Sequence, residues 1–427
     1  MNIIEQVSIS GFWGNHSLVL DLNKDVNFLI GVNGSGKTTV INLIASALNA
    51  DFQTLDRIQF DKIIIQLKEI GGSRKPSIEV EKSKEKRLPF SSILYKIRNK
   101  SRETPIEYSL SDLEEQFVIR GESFIRHYPN ELFQRNAGGL LEHLRSLVNI
   151  KWLSIHRSDA TRSIREERGF ESTVDKKLSE LSNDFVKYFS SLTKLAEVET
   201  EKFQKFFFLS LIPTKSELAL SFGETNLNLD GEKSALGEIY EKFNVEKSKY
   251  TKPLEEYIKD TKEAFEQFNK GDNIKTSQIV NILSAWRIHK IVQNWSDLND
   301  RLKRIYEPKE LFLQTINSML QRKRLFLNDK NELIVETQSG KNFSPNQLSS
   351  GEKQLMIILG ESLLQKKDSW IYIADEPELS LHVKWQEQLI TSLRKINPNT
   401  QILFATHSPD IVSIYSKNVF NMEDYLQ

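Results

Sequence analysis

The sequence predicts an α/β protein in which a doubly wound sheet and an antiparallel β lobe are interrupted by a helical, coiled-coil-like arm. Near both ends of the chain, short β-rich bursts alternate with apolar residues at helical spacing, as in doubly wound α/β folds. Two further strand candidates, residues 63–67 and 78–80, flank a glycine turn and indicate the β lobe. In the middle of the chain, apolar residues repeat in steps of four and three from Val174 to Leu195, a heptad pattern that predicts the arm.

The N-terminal half begins with three β-rich bursts, which predict a strand meander over residues 3–30. The third burst runs directly into residues 31–38, GVNGSGKT, which we call the glycine loop. Apolar residues then recur at helical spacing, so the glycine loop joins a strand to a helix. A lysine-rich stretch follows over residues 82–102, and a strand is expected over residues 150–155.

The second half of the chain leads from the arm back to the sheet domain. Amphipathic helices are expected over residues 254–268 and 279–305, and Pro308 is expected to begin another helix. The elements after them are a hairpin over 325–335, a helix over 353–365, a strand over 370–374, a helix over 383–396 and a strand over 401–405. We therefore expect three segments: an N-terminal half of the sheet domain with the β lobe at 1–160, the helical arm at 161–322 and a C-terminal half at 323–427.

The composition limits the class of protein. The 427 residues include 58 basic and 58 acidic side chains, so no global charge draws the chain to nucleic acid or to an anionic membrane. The chain has no cysteine, which excludes disulfides and cysteine-ligated zinc and suits a reducing cytosol. No basic, apolar leader and no run of about 18 apolar residues occurs. We expect a cytoplasmic protein without a membrane partner.

The glycine loop has the composition of a phosphate-binding site. Glycines allow backbone N–H groups to surround a phosphate at the start of a helix, a lysine supplies a positive charge to it, and a hydroxyl next to the lysine is a ligand for Mg²⁺. The candidate nucleotide-binding residues are Asn33, Gly34, Ser35, Gly36, Lys37, Thr38 and Thr39. A flexible Gly-Ser turn is the alternative interpretation, which the match over eight residues and its position between a strand and a helix disfavour.

Two carboxylates and a histidine follow the last two predicted strands. Asp375 is placed to reach a Mg²⁺ ion, whereas Glu376 is placed to orient or deprotonate an attacking water. His407 is a candidate hydrogen-bond donor to a phosphate or to that water. Alone, the carboxylate pair would indicate a turn or a helix N-cap, and the histidine would be structural.

A third phosphate-binding candidate is the signature segment, residues 348–352 with the sequence LSSGE. Ser349, Ser350 and Gly351 precede a predicted helix, whose first N–H groups and positive dipole end attract anions. The alternative is an ordinary serine N-cap with Glu352 completing a capping box.

In their order along the chain, these motifs resemble those of the ABC-ATPase superfamily. The resemblance implies an ABC-ATPase head that hydrolyses ATP with Mg²⁺, with Thr38 and Asp375 at the metal and Glu376, His407 and Lys37 at the reacting phosphate. It also implies a homodimer or higher homo-oligomer, in which the signature segment of one subunit contacts ATP held by the glycine loop of the other. Because 317 positions separate Gly31 from Leu348, a transporter subunit is disfavoured.

Within that superfamily, the chain resembles SMC-like heads and, more closely, the OLD family. The second resemblance depends on residues 350–354 (SGEKQ), 375–382 (DEPELSLH) and 405–409 (ATHSP). Only 20 residues follow His407, fewer than the roughly 50 residues of a minimal domain, so a TOPRIM nuclease would be a separate chain. The arrangement resembles the ATPase subunit of anti-phage defence systems of the PARIS type, which implies an effector protein and a phage protein as trigger.

Several assignments stay open at this stage. Gln66 is a loose candidate for a Mg²⁺-sensing glutamine, with a plain strand residue as the alternative. Arg157 is a candidate for a nucleotide contact, with an ordinary surface arginine as the alternative. Phe12 and Trp13 either border the adenine or pack in the core. The competing function is a DNA-repair or chromosome-maintenance ATPase whose residues 82–102 contact DNA phosphates; a solvated loop is the alternative for that stretch.

Overall fold

The computed structural model describes residues 1–83, 92–109, 138–153, 173–212, 227–271 and 273–425. The chain forms two compact units, the first comprising Met1–Val186 and Lys309–Gln427, the second Lys187–Pro308. These limits differ from the arm expected at 161–322. Both limits fall inside long helices, because the inner ends of these helices pack in the core of the first unit, where Phe185 and Phe312 are fully buried.

The strands are, in chain order, β1 (Asn2–Phe12), β2 (His16–Asp21), β3 (Val26–Ile30), β4 (Lys62–Glu69), β5 (Ser77–Ser83), β6 (Ser92–Arg98), β7 (Ile106–Ser109), β8 (Ile150–Leu153), β9 (Lys323–Leu327), β10 (Leu333–Thr337), β11 (Asn342–Phe343), β12 (Trp370–Asp375), β13 (Thr400–Ala405) and β14 (Val419–Asn421). The α-helices are α1 (Lys37–Asn49), α2 (Phe52–Arg57), α3 (Gly138–Leu147), α4 (Thr173–Ser210), α5 (Leu229–Lys242), α6 (Lys247–Lys270), α7 (Thr276–Met319), α8 (Ser350–Leu364), α9 (Val383–Ile396), α10 (Pro409–Val412) and α11 (Met422–Tyr425). None of the helices within the described ranges combines the length and apolarity that a membrane crossing requires.

A five-stranded parallel sheet forms the centre of the first unit, in the order β14-β3-β13-β12-β8. Its inner strands are nearly continuous apolar runs, as expected of a parallel sheet covered on both faces. Because β3, β13 and β12 are neighbours and run parallel, their carboxyl ends lie side by side at one edge of the sheet. The side chains that follow these three strands are thereby brought together.

The β lobe is a six-stranded antiparallel sheet in the order β2-β1-β4-β5-β6-β7. The expected meander over residues 3–30 is wrong in one respect: β1 pairs with β2, but β3 belongs to the parallel sheet. Burial explains the difference, since β3 is covered on both faces whereas β2 alternates between buried and exposed residues. Helix α1 packs in the core shared by the two sheets.

The predicted helical arm begins with α4, whose buried stripe follows the heptad pattern only as far as Leu192. Leu195 is 54% exposed, and Ala196 is buried in its place. A straight α-helix drifts relative to a strict seven-residue repeat, and this drift explains the shift. The helix expected to begin at Pro308 is also wrong, because α7 runs through this proline without a break.

The second unit has its own apolar core, formed by α5, α6 and α7. Its buried residues include Leu229, Leu254, Ile258, Phe265 and Ile282.

Candidate nucleotide site

The glycine loop connects β3 to α1, and its glycines adopt backbone angles that other residues rarely adopt. The φ angles of Gly31, Gly34 and Gly36 are 145°, 85° and 89°. A Cβ atom on Gly31 would lie 2.7 Å from the hydroxyl of Ser35, whereas the space around Gly34 is open. Gly36 is the N-cap of α1, so the first N–H groups of the helix face the loop. The loop therefore has the curvature and the dipole of an anion site.

Lys37 is buried beneath this loop. Its ammonium group donates hydrogen bonds to the carbonyl oxygens of Gly31 and Val32, at 2.9 and 3.1 Å. Burial lowers the pKa of Lys37, and attraction to Glu376 and Asp375 opposes this effect. The positive charge thus lies between the loop and the carboxylates at the end of β12.

Thr38 and Asp375 bring the glycine loop and β12 into direct contact. The Thr38 hydroxyl donates a hydrogen bond of 3.0 Å to the Asp375 carboxylate, across 337 positions of sequence. Both side chains are only partly buried, so their oxygens are accessible. The two residues assigned to the metal from sequence therefore lie side by side.

Glu376 is the next residue after β12 and has a left-handed backbone, with φ of 48°. Its N–H donates to the carbonyl oxygen of Ala405 at 2.8 Å, which fixes this turn against the end of β13. The Glu376 carboxylate lies 3.7 Å from the Nε2 atom of His407, the residue that follows β13 and Thr406. Non-glycine residues at positive φ are uncommon, and strained positions of this kind cluster at active sites.

Glu378 holds the turn that carries His407. One oxygen of its carboxylate accepts hydrogen bonds from the Thr406 hydroxyl and from the N–H groups of His407 and Ser408, the latter two at 3.1 and 3.3 Å. Only 6% of Glu378 is exposed, and burial raises its pKa while these hydrogen bonds oppose the increase. Glu378 has no role among the site residues expected from the sequence.

The signature segment begins α8 with the capping box that was the alternative interpretation. The Ser349 hydroxyl accepts from the Glu352 N–H, and the Glu352 carboxylate accepts from the Ser349 N–H. Ser349 and Ser350 are exposed, but Gly351 is buried. A Cβ atom on Gly351 would lie 2.4 Å from the carbonyl oxygen of Ser380, so this glycine allows the helix to pack against the chain after β12.

Two aromatic rings lie beside the glycine loop. Phe12 and Trp13 stack with their centroids 4.7 Å apart, and both lie within 3.2 Å of the position of a Cβ atom on Gly36. Phe12 is fully buried, whereas Trp13 is 44% exposed. Phe12 is thus a core residue, and Trp13 offers a ring face beside the loop. At the other side of the loop, Glu423 accepts a hydrogen bond from the Val32 N–H, a contact that no motif indicated.

The structure brings five of the sequence-derived site residues together: Lys37, Thr38, Asp375, Glu376 and His407. Within the described residues, no recorded contact joins Ser349 or Ser350 to the glycine loop of the same chain. Asn33 and Gly34 are exposed on the loop, and Thr39 lies in the first turn of α1. Gln66 is an exposed residue within β4, and Arg157 lies outside the described residues.

Three observations fit a triphosphate and a magnesium ion. The buried Ser35 hydroxyl has no hydrogen-bond partner among the described residues, although it lies inside the loop. Thr38 and Asp375 present two oxygens, and Mg²⁺ takes few protein ligands and completes its shell with phosphate oxygens and water. The described residues contain no group of three or more acidic, histidine or cysteine side chains that would form an all-protein metal site. The oxygen pair therefore fits Mg²⁺ bound together with a phosphate.

Comparisons with known proteins find relatives that match part of this chain. The retron Vc95 probable ATPase of Vibrio cholerae serotype O1 biovar El Tor is 22% identical over 200 residues, which cover 40% of this chain and 38% of that protein. The retron Ec83 probable ATPase of Escherichia coli is 30% identical over 105 residues, covering 22% of this chain and 19% of that protein. The chain thus spans well under half the length of either curated relative.

Among solved structures, the Smc head domain of Pyrococcus furiosus, bound to the C-terminal domain of ScpA, aligns with a TM-score of 0.45 and 15% identity. The alignment covers 100% of this chain and 95% of that chain. A family model described as an AAA ATPase domain, AAA_15, matches residues 1–412. Because this match covers most of the chain, including the glycine loop and the end of β12, the chain belongs to the AAA ATPase domain family.

Proposed function

We propose that the chain binds and hydrolyses ATP with Mg²⁺ at the glycine loop. The observation that carries the proposal is the meeting of two pairs at the ends of parallel strands: Thr38 with Asp375, and Glu376 with His407. One pair suits a metal ion, and the other suits the water that attacks the terminal phosphate. Asp375 is the last residue of β12 and Glu376 is the residue after it, so each pair contains one of these two carboxylates.

In this proposal each residue has a separate task. Lys37 leaves its loop carbonyls to bind the β- and γ-phosphates, and Thr38 with Asp375 holds Mg²⁺, which neutralises phosphate charge when bound. Glu376 orients the attacking water and accepts its proton, while His407 donates a hydrogen bond to the transferred phosphoryl group.

Two variants test the assignment by separating binding from turnover. Lys37→Ala should abolish ATP binding, measured with a fluorescent ATP analogue. Glu376→Gln should still bind ATP but slow phosphate release by about 10²- to 10⁴-fold, since general-base catalysis contributes this much. Wild-type turnover in Glu376→Gln would remove this residue from the proposed role.

We further propose that the complete site forms between two heads. Ser349 and Ser350 are exposed at the start of α8, which suits a phosphate held by another subunit. Light scattering should therefore detect a homodimer or larger homo-oligomer of Glu376→Gln with ATP and less of it without nucleotide. A monomer under both conditions would contradict the shared site.

The cellular role we propose is that of a sensor and scaffold in anti-phage defence, which controls a separately encoded effector such as a TOPRIM nuclease. Both curated relatives are named as ATPases of retrons, and this supports an ATPase that works beside other components. Purification of the tagged chain with its neighbouring genes, with and without ATP, should recover a stoichiometric effector. Recovery of the chain with DNA and no protein partner would instead favour a DNA-repair ATPase.

The charges of the β lobe weigh against the repair alternative. Lys82 donates to three backbone carbonyl oxygens of the same lobe. Lys96 pairs with Glu81 at 2.6 Å, and Arg98 with Glu79 at 3.1 Å. These three cations are engaged by neighbouring groups of the same unit, so they are not a prepared DNA contact, whereas Lys100 and Arg102 are exposed; residues 84–91 lie outside the described ranges.

A further inference from the structure

A groove of about 400 Å³ lies beside the hairpin of β9 and β10, outside the residues assigned to ATP. We call it the basic groove. Its lining includes three consecutive cations, and polar residues of the opposite strand face them: Arg322, Lys323, Arg324, Glu336, Thr337 and Gln338. Positive charge therefore exceeds negative charge in its walls.

The two arginines of the basic groove keep their hydrogen-bonding capacity. Among the described residues, neither the Arg322 nor the Arg324 guanidinium has a recorded ion pair or hydrogen bond, although Glu336 stands opposite Arg324 in the strand register. Arg322 has a left-handed backbone with φ of 59°, and its carbonyl oxygen accepts from the Gln338 N–H at 3.2 Å. Non-glycine residues at positive φ are uncommon, and such positions occur at ligand sites as well as in turns.

The third cation connects the basic groove to the signature segment. Lys323 donates to both carboxylate oxygens of Glu352, at 3.0 and 2.8 Å. The same carboxylate accepts from the N–H and the hydroxyl of Ser349, at 2.9 and 2.8 Å. A single side chain, Glu352, thus lies between Lys323, which lines the groove, and Ser349, the N-cap of α8.

We propose that the basic groove is a second anion site, which binds phosphate groups and is linked to the signature segment through Lys323 and Glu352. Arginine presents a planar fork of N–H donors that matches two phosphate oxygens, and two unpaired arginines in one groove suit adjacent phosphates. The phosphates come either from a nucleic-acid strand or from a free polyphosphate, which share this chemistry. A bound anion competes with Glu352 for Lys323. Occupancy of the groove and the hydrogen bonds between Glu352 and Ser349 therefore depend on each other.

Direct binding tests the site with two probes, a fluorescein-labelled single-stranded oligonucleotide and inorganic tripolyphosphate. Tripolyphosphate is titrated into a Lys37→Ala background, so that the glycine loop does not compete. The Arg322→Glu/Arg324→Glu double variant should bind the active probe at least about tenfold more weakly, and for the oligonucleotide the dependence of log K on log salt should fall by about 1.4. Lys395→Glu, a charge reversal at one exposed position of the same unit, should bind like the parent.

Arg324→Gln is the milder variant, which keeps Arg322 and should lose part of the affinity with an unchanged melting temperature. Binding of the oligonucleotide alone identifies nucleic acid as the source, and binding of tripolyphosphate alone identifies a small polyphosphate. Failure of both probes to bind the parent, or equal losses in the double variant and in Lys395→Glu, overturns the site. None of these measurements requires hydrolysis, so an inactive ATPase would leave the result intact.

The link to the signature segment has its own readout. The affinity of the active probe should change when a non-hydrolysable ATP analogue is added to the wild-type chain, and Lys323→Gln should remove that change. For tripolyphosphate, the arm without analogue is measured in the Lys37→Ala background and the arm with analogue at saturation, so that the glycine loop does not bind the probe in either arm. A probe affinity that ignores the analogue in the wild type overturns the link.

Discussion

Replacing Glu378 by alanine should be among the most damaging single changes at this site, although no motif assigns the residue a catalytic task. The substitution removes the acceptor of three hydrogen bonds, from the Thr406 hydroxyl and from the N–H groups of His407 and Ser408. Thr406 and Ser408 are buried, whereas His407 is exposed, and a buried donor without a partner costs about 1–3 kcal/mol. Taking about 1–2 kcal/mol for each of the two buried donors, because water fills part of the gap, we expect a loss of about 2–4 kcal/mol in the free energy of unfolding.

Urea unfolding followed by tryptophan fluorescence measures this loss, and steady-state phosphate release measures its effect on turnover. We expect kcat to fall while the affinity for ATP stays close to wild type, because Glu378 holds His407 and not the glycine loop. Glu378→Gln is the matched control, since its amide oxygen can accept the same hydrogen bonds; it should lose about 1 kcal/mol. In a His407→Ala background, the effect of Glu378→Ala on kcat should disappear. A loss below about 1 kcal/mol in Glu378→Ala, or equal losses in both variants, would refute the reasoning.

Three further substitutions test other contacts. Trp13→Ala should weaken ATP binding about tenfold while Trp13→Phe keeps most of it, in a competition assay, and equal affinities would place the adenine elsewhere. Gly351→Ala should reduce stability and turnover together, because its Cβ would lie 2.4 Å from the Ser380 carbonyl oxygen; thermal melting beside the ATPase assay checks this, and an unchanged melting temperature contradicts it. Burial raises the pKa of Glu232, so this carboxyl contributes stability that is complete below its unfolded pKa near 4.5 and is lost as pH rises through the folded pKa. Glu232→Gln should flatten that part of the pH profile of urea unfolding, and an identical slope in the variant would exclude this residue as its origin.

Local elements of the second half were predictable because their signals are local. The helix expected over residues 383–396 has those bounds in the structure, and the expected hairpin is formed by β9 and β10. The strands that end at Asp375 and Ala405 also form where the sequence predicts them, because their apolar runs are short and end at polar residues. Since doubly wound sheets collect their strand ends at one edge, the approach of Asp375 to Thr38 followed from the fold class.

Contacts between distant segments were not predictable in the same way. Glu378 looked like one polar residue in a turn, and only the parallel register of β12 and β13 brings it to Thr406. Gly351 was assigned to phosphate binding, whereas its burial against Ser380 depends on how the chain after β12 folds back. The heptad pattern identified α4 correctly, but the face it buries beyond Leu192 is set by the pitch of the helix and by its neighbours.

Helix α8 is held from two directions, and this arrangement connects the signature segment to the base of the arm. Near its start, Lys353 pairs with Asp175 of α4 at 2.6 Å. Two turns later, Gly360 lies so close to α4 that a Cβ atom would be 2.5 Å from the Phe185 ring. On its other side, Gln354 donates to the Pro377 carbonyl oxygen at 2.8 Å, in the turn after Glu376. Packed cores shift as bodies and resist gradual deformation, so a displacement of α4 must be accommodated by α8 and by the turn that carries the Glu376 carboxylate.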